Sequence, residues 1–434
     1  MQVEAKFDRD LIWYRGDSTR YLGVRVTEPG AGGASEQLPL NLALAVDASG
    51  SMSGERLRCA IDAATRVVEC LTSADRLSLV SFGSTVTDHL SGVAMNDAGR
   101  RLAWQLLQEI RLSGRTNLFG GWMRGAQHVA TAMNNGSPMQ HRVVILSDGH
   151  ANEGETDPAK LAEHAKQLAS RGLTSSTVGI GDGYNSETLE SIAVQGGGLH
   201  HRAAEPREIV EVLTAELEEA RMTRAQGVQI TLRHTAGVQV RSLNEFPLER
   251  GPQESTCEVG SLAAGASRLA IFSVKFPPGE PGVIYPLGVE VTWRRPSEAA
   301  TQQATPSAVA ARFARGTENN AQTHDAVLTH EVAQMWQAQI VRRIVRLNRE
   351  GRYSEALKRL DQDIPRFIRY AKRATNGAAL TAELQRLKES ADREWNEGSR
   401  KEIEIAMHKR AYSRLDARQS QEHKRNWSDI LPDR

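Results

Sequence analysis

The sequence predicts an α/β protein: a doubly wound, Rossmann-like domain, flanked by an antiparallel β-sandwich and followed by a helical C-terminal region. Three patterns carry this. Between Leu40 and Arg224 strand and helix signals alternate, the order of a parallel sheet covered by helices on both faces. Beyond Arg224 strand signals follow one another across Gly and Pro turns with no helix between them. From about Thr323 apolar residues recur at helical spacing in a basic background. These changes of period divide the chain into residues 1–37, 38–224, 225–315 and 316–434.

From the N terminus, residues 11–14 and 21–26 read as strands, followed by the loop Pro29-Gly30-Ala31-Gly32-Gly33. Two lone strands do not stabilise themselves. They are therefore expected to join the strands beyond Arg224, which makes 38–224 an insertion in the sandwich. Within that insertion the predicted strands are 40–46, 77–82, 143–147 and 174–180, with 85–90 as an edge hairpin. The predicted helices are 55–71, 97–110, 119–133, 158–171, 186–194 and 206–224. Asp157 before Pro158 is an N-cap followed by proline at the first helical position, where a missing N–H costs nothing. Later strands are expected at 228–232, 238–240, 257–259, 267–276 and 283–293. Ile340, Val341, Ile344, Val345 and Leu347 mark a helix stopped by Gly351, and 353–360, 379–397 and 401–413 read as further helices ahead of a polar tail.

The length of 434 residues suits two or three domains, and 40% hydrophobic content suits a sizeable core. A formal net charge of +1 argues against bulk nucleic acid as partner. No apolar leader follows Met1 and no segment reads as a membrane span, so no membrane insertion and a cytoplasmic location are expected. Cys59, Cys70 and Cys257 make no disulfide framework, and Cys59 and Cys70 read as buried packing residues of one helix.

The chemistry concentrates at strand ends. The run Leu-Ala-Leu-Ala-Val from Leu42 leads straight into Asp47, Ser49 and Ser51 at the carboxyl edge, where open α/β sheets bind ligands. Thr116 and Asp148 stand at two further loops. Hard oxygen donors suit Mg²⁺, Mn²⁺ or Ca²⁺ rather than zinc, and two carboxylates with three hydroxyls are few for a closed calcium cage, so Mg²⁺ with retained waters is favoured. Such a set leaves the ion partly neutralised, with a position open to an outside oxygen. The alternative is that the serines only cap the helix beginning at Glu55.

Asp-x-Ser-x-Ser at Asp47, Thr116 in Gly-Arg-Thr-Asn-Leu-Phe-Gly-Gly-Trp, and Asp148 in Leu-Ser-Asp-Gly together resemble the von Willebrand factor A family and its metal-ion-dependent adhesion site. The likeness runs over residues 38–224 and is nearest to domains of the inter-alpha-trypsin-inhibitor heavy-chain type and their bacterial relatives, helped by Ser-Ala-Asp-Arg-Leu-Ser-Leu-Val-Ser-Phe at 73–82. It implies a metal-dependent protein-binding module that takes an Asp or Glu of a partner, with Asp148 ligating through water, and a last helix that shifts on occupancy. Met52, Asn117, Phe119 and His150 are the rim residues expected to select the partner.

Other classes read less well. An accessory subunit of an AAA+ ATPase or of a kinase–phosphatase signalling set would use the same site. A metallohydrolase would use His150 or Glu153 beside a metal-bound water, but no hydrolase motif accompanies them. His200 and His201 fall on opposite faces of a strand, one expected exposed and one packed. Gly181-Asp182-Gly183 reads as a turn, and the C-terminal arginines are interleaved with acids as on a solvated helical face.

Overall fold

The computed structural model describes residues 1–411 and 427, apart from 31–37, 134–138, 149, 182–183, 204–207, 245, 297, 299 and 307–308. Asp182, Gly183, the first two positions of the predicted 206–224 helix and most of the polar tail therefore lie outside the described residues.

The chain opens with β1 (Gln2–Phe7), β2 (Leu11–Trp13) and β3 (Ser18–Thr27). It then runs through β4 (Leu40–Asp47), α1 (Glu55–Cys70), β5 (Arg76–Phe82), β6 (Val86–Ala94), α2 (Asp97–Leu107), α3 (Leu118–Met133), β7 (Gln140–Ser147), α4 (Pro158–Ser170), β8 (Leu173–Ile180), α5 (Ser186–Gln195), β9 (Gly197–Ala203) and α6 (Glu208–Met222). These strands form one six-stranded sheet in the order β6-β5-β4-β7-β8-β9. Every pairing is parallel except the β5–β6 hairpin.

Strand β4 is buried on both faces, and its sequence divides the labour. Leu40, Leu42, Leu44 and Val46 pack with Leu57, Val67, Leu213 and Leu217 of α1 and α6. Ala43 and Ala45 face Trp122, Val129 and Leu161 of α3 and α4. The small residues let α3 come close, and at Gly121 an added Cβ would stand 2.3 Å from the Phe82 ring.

The sandwich continues with β10 (Thr223–Arg233), β11 (Gln239–Ser242), β12 (Leu248–Arg250), β13 (Glu254–Ala263), β14 (Ser267–Phe276), β15 (Ile284–Arg294), β16 (Thr301–Ala304) and β17 (Val309–Ala314). One sheet has the order β1-β3-β14-β11, the other β12-β13-β10-β15-β17-β2 with β16 on β15. The N-terminal strands are thus part of the sandwich: β3 pairs with β14 from Ser18↔Phe276 to Thr27↔Ser267, and β2 pairs with β17. Beyond it lie α7 (Gly316–Ala321), α8 (Ala326–Arg349), α9 (Tyr353–Ala371), α10 (Gly377–Ser390) and α11 (Glu397–Ala411). Leu328, Val332, Met335 and Ile344 of α8 share a core with Leu269 and Ile271 of β14, which fastens the helices to the sandwich.

Several expectations need correction. Strands β1, β12, β16 and β17 were not foreseen; β12 and β16 are short, and β1 is an edge strand with one buried residue, so their apolar signal is weak. The helix expected at 379–397 ends at Ser390, because the chain turns to bury Trp395, whose indole donates to the Ser390 carbonyl at 2.8 Å. The stretch expected at 353–360 continues to Ala371 through Pro365, carried by the buried stripe Ile364, Phe367 and Tyr370. Cys59 is buried, but Cys70 is exposed at the last residue of α1. His200 and His201 are both half-buried and hydrogen-bonded, to Thr177 and Tyr184 and to Glu216 respectively.

Helix α6 is held by buried charge. Arg142 of β7 donates to the Glu216 carboxylate, Ser176 of β8 donates to it at 2.5 Å, and His201 of β9 lies 2.8 Å away. Burial pushes the Glu216 carboxyl up, but Arg142, His201 and Ser176 outweigh it and hold the group well below the usual carboxylate range. Because the folded value is depressed, this contribution to stability is present above about pH 4 and lost as pH falls through the folded value. Glu216→Ala is expected to lower unfolding free energy by about 3–5 kcal/mol in denaturant titration at pH 7, since Arg142 would be left buried without its partner. Glu216→Gln should weaken the acid dependence, and an unchanged acid limb would count against the assignment.

Candidate metal centre

Three loops meet at the carboxyl edge of the sheet. The first follows β4 and holds Asp47, Ser49 and Ser51; the second precedes α3 and holds Thr116; the third follows β7 and holds Asp148. Backbone bonds knit them together. Gly50 N–H donates to the Gly114 carbonyl at 2.9 Å and Ser113 N–H to the Ala48 carbonyl at 2.7 Å, joining the first two. The N–H groups of Asn152 and Glu153 donate to the Thr116 carbonyl at 3.1 and 3.2 Å, joining the second to the third. Ser147 Oγ donates to Asp47 Oδ2 at 2.5 Å and closes the triangle.

Inside it, Asp47, Ser49, Thr116 and Asp148 are buried, and Ser51 is exposed at the mouth. Ser49 N–H donates to Asp47 Oδ1 at 2.8 Å, and the Ser49 and Ser51 hydroxyls lie 3.1 Å apart. The serines do no capping. Gly50–Met52 form a single 3₁₀ turn, and α1 begins after Gly54 with no side-chain cap. Asp148 Oδ2 is buried with no hydrogen-bond partner among the described residues, although Arg56 Nη1 lies 3.8 Å from it. Burial, added to by the nearby Asp148 charge, pushes the Asp47 carboxyl up to about 6 against the hydrogen bonds from Ser147 and Ser49. Among the described residues no three His, Cys, Asp or Glu side chains are grouped to hold a metal, so a cation here would draw on hydroxyls as well as on Asp47 and Asp148.

The rim differs from expectation. Met52 is fully buried in the core under α1, because the 3₁₀ turn points its side chain inward, so it is no rim residue. Asn117 accepts from the Gly120 N–H at 2.8 Å and so serves the start of α3. Phe119 is half-buried against Trp122 and His164. His150 is exposed. Three contributors escaped sequence reading: Ser147, Asn152, which accepts from the Thr116 N–H at 2.9 Å, and Arg56. A serine next to the motif aspartate was a signal for the first only. A cavity of about 700 Å³ lies elsewhere, among β9, the sandwich and α11, and none of the five motif residues lines it.

Residues 41–214 match the family model of the von Willebrand factor type A domain. The chain carries such a domain. Over 174 residues it is 29% identical to inter-alpha-trypsin inhibitor heavy chain H3 of Rattus norvegicus, covering 39% of this chain and 19% of that one. The human heavy chain H3 is 28% identical over 204 residues, covering 44% and 22%. An uncharacterized protein of Synechocystis is 31% identical over 167 residues, 37% of each chain. The chain thus spans about a fifth of the length of the heavy chains it matches. Among solved structures, a von Willebrand factor type A protein from Catenulispora acidiphila has a TM-score of 0.70 at 15% identity, covering 94% of this chain and 96% of its own. The ArnB paralog VWA2 from Sulfolobus acidocaldarius has a TM-score of 0.59 at 16% identity, covering 94% and 98%. The whole architecture, A domain with sandwich and helices, is therefore a recurring fold. No helix among the described residues is long and apolar enough to cross a membrane.

The raised Asp47 value gives a prediction with a definite sign. A carboxyl whose folded value lies above its unfolded one is more easily ionised in the unfolded chain, so the metal-free A domain loses stability as pH rises from about 4 to about 6. Asp47→Asn should remove most of this loss, on the order of 3 kcal/mol at neutral pH. Chelator-treated wild type and variant melting at one temperature at pH 7 would contradict it.

Proposed function

We propose that the A domain is a metal-dependent protein-binding module. Asp47, Ser49, Ser51 and Thr116, with Asp148 through water, would hold one divalent cation, Mg²⁺ by preference and Mn²⁺ or Ca²⁺ by chemistry, and a protein partner would present an Asp or Glu to it. The observation that carries this reading is an Asp148 oxygen buried without a hydrogen bond among the described residues, beside serine hydroxyls that cap no helix, in loops already fixed to one another. Buried polar atoms are rarely left unmatched without a function. The donor set is wholly oxygen, which suits these cations.

The cation, when bound, supplies a strongly directional charge-assisted contact. The protein's part is to hold the loops before binding, so that little ordering remains to be done when ion or partner arrives. The match to the von Willebrand factor type A domain, a type that commonly mediates protein–protein contacts, agrees with this reading.

Titration calorimetry should register uptake of Mg²⁺ or Mn²⁺ at one site by wild type and none by Asp47→Ala. In a pull-down, partners retained by wild type should be lost both with chelator and with Asp47→Ala. Retention that ignores both treatments would remove the metal from the mechanism, and turnover abolished by His150→Ala with metal binding intact would favour a hydrolase.

A further inference from the structure

We propose that Arg56 is a second anchor for the incoming carboxylate and the group that makes the loaded site selective for anions; this rests on the metal-binding reading above. Arg56 sits in the first turn of α1, five residues after Ser51. Its Nη1 donates to the Ser51 carbonyl at 3.1 Å and lies 3.8 Å from Asp148 Oδ2. On its other side the guanidinium lies against Gly181, where an added Cβ would stand 3.2–3.3 Å from Nη2, Cζ and Nε. Gly181 also has φ of +77°, which favours glycine, so the third loop's neighbour leaves the space the guanidinium fills. The side chain is 39% exposed and therefore reachable from the mouth.

Two features point outward. A guanidinium has five N–H donors in a planar fork, and among the described residues Arg56 makes no hydrogen bond besides the one to Ser51. Glu55 beside it is turned to Arg58. The second feature is charge. Without the cation, Arg56 is the positive neighbour of a buried pair of carboxylates, Asp47 and Asp148. A dication cancels that pair, and Arg56 then leaves one uncompensated positive charge at the mouth. A neutral oxygen ligand would not relieve it; a carboxylate would, bridging with one oxygen toward the ion and the other accepting a charge-assisted hydrogen bond from an Arg56 N–H.

Acetate is a sufficient probe. Mn²⁺ binding would be followed by the electron paramagnetic resonance of free Mn²⁺ at fixed ionic strength, in chloride and in acetate, for wild type, Arg56→Gln and Arg56→Lys. Wild type should bind Mn²⁺ more tightly in acetate than in chloride. Arg56→Gln should bind Mn²⁺ about two- to tenfold more tightly in chloride, because a like charge has gone, and should lose most of the acetate enhancement. Arg56→Lys should keep part of it. If Arg56→Gln keeps the full enhancement, Arg56 does not touch the anion and the proposal falls. If Arg56→Gln instead binds Mn²⁺ more weakly in chloride, Arg56 is a support for the loop, and the proposal also falls. Failure of wild type to bind Mn²⁺ at all would overturn the metal reading itself, and this inference with it.

Discussion

The site depends on burying a carboxylate at the end of a strand whose one other polar side chain, Asn41, is spent at its far end on the Val129 carbonyl of α3. Along β4, leucines fill one side and alanines the other, so the sheet excludes water up to Asp47. An ionised group in that place is costly unless something compensates it. The hydrogen bonds from Ser147 and Ser49 compensate only in part, which is why its carboxyl stays raised at about 6. The strand that stabilises the core therefore also creates a local deficit of positive charge at its carboxyl edge. A divalent cation bound there would be favoured by the same burial that penalises Asp47 alone.

How much of this was legible follows from where the signals lie. A strand buried on both faces announces itself by its apolar residues, so β4, β5, β7 and β8 could be read directly, and Asp47 and Asp148 stand at the ends of β4 and β7, while Thr116 precedes α3. What could not be read are features set by tertiary contact. Met52 looks like a rim residue by position, yet a single 3₁₀ turn sends it inward. Asn117 and Phe119 look free until Gly120 and His164 claim them. Arg56 is one of many arginines in the sequence, and only the convergence of Ser51, Asp148 and Gly181 on its guanidinium distinguishes it. Edge strands such as β1 and β16, short or half-polar, carry no periodicity strong enough to separate them from loops.

The placement of the A domain adds a mechanical constraint. Its two ends enter one sandwich: β3 precedes it, and α6 passes into β10 with no residue between Met222 and Thr223. Arg295 clamps the two connections, donating to Glu28 Oε1 at 2.6 Å and to the Arg224 carbonyl at 3.1 Å. The last turn of α6 is tied back to the start of β4 as well, because Asp75 accepts from Arg221 at 2.6 Å and from the Leu40 N–H at 2.7 Å. With Glu216 held by Arg142, Ser176 and His201, α6 is fixed at its middle and at its end. Any sliding of α6 would break buried charge pairs, so the A domain in this form is locked rather than loosely hinged.

A second connection reaches the loop of Asp148 without passing through α6. Lys401 of α11 donates to the Tyr184 carbonyl at 2.9 Å and lies over the Tyr184 ring at 4.5 Å. The next residue, Asn185, donates its N–H to the Asp148 carbonyl at 3.1 Å. The helical region thus grips the segment that orients the third loop, and Arg342 of α8 pairs with Glu190 of α5 on the same side. The C-terminal helices thus contact the A domain through a buried lysine beside the third loop, a connection separate from the charge cluster that holds α6.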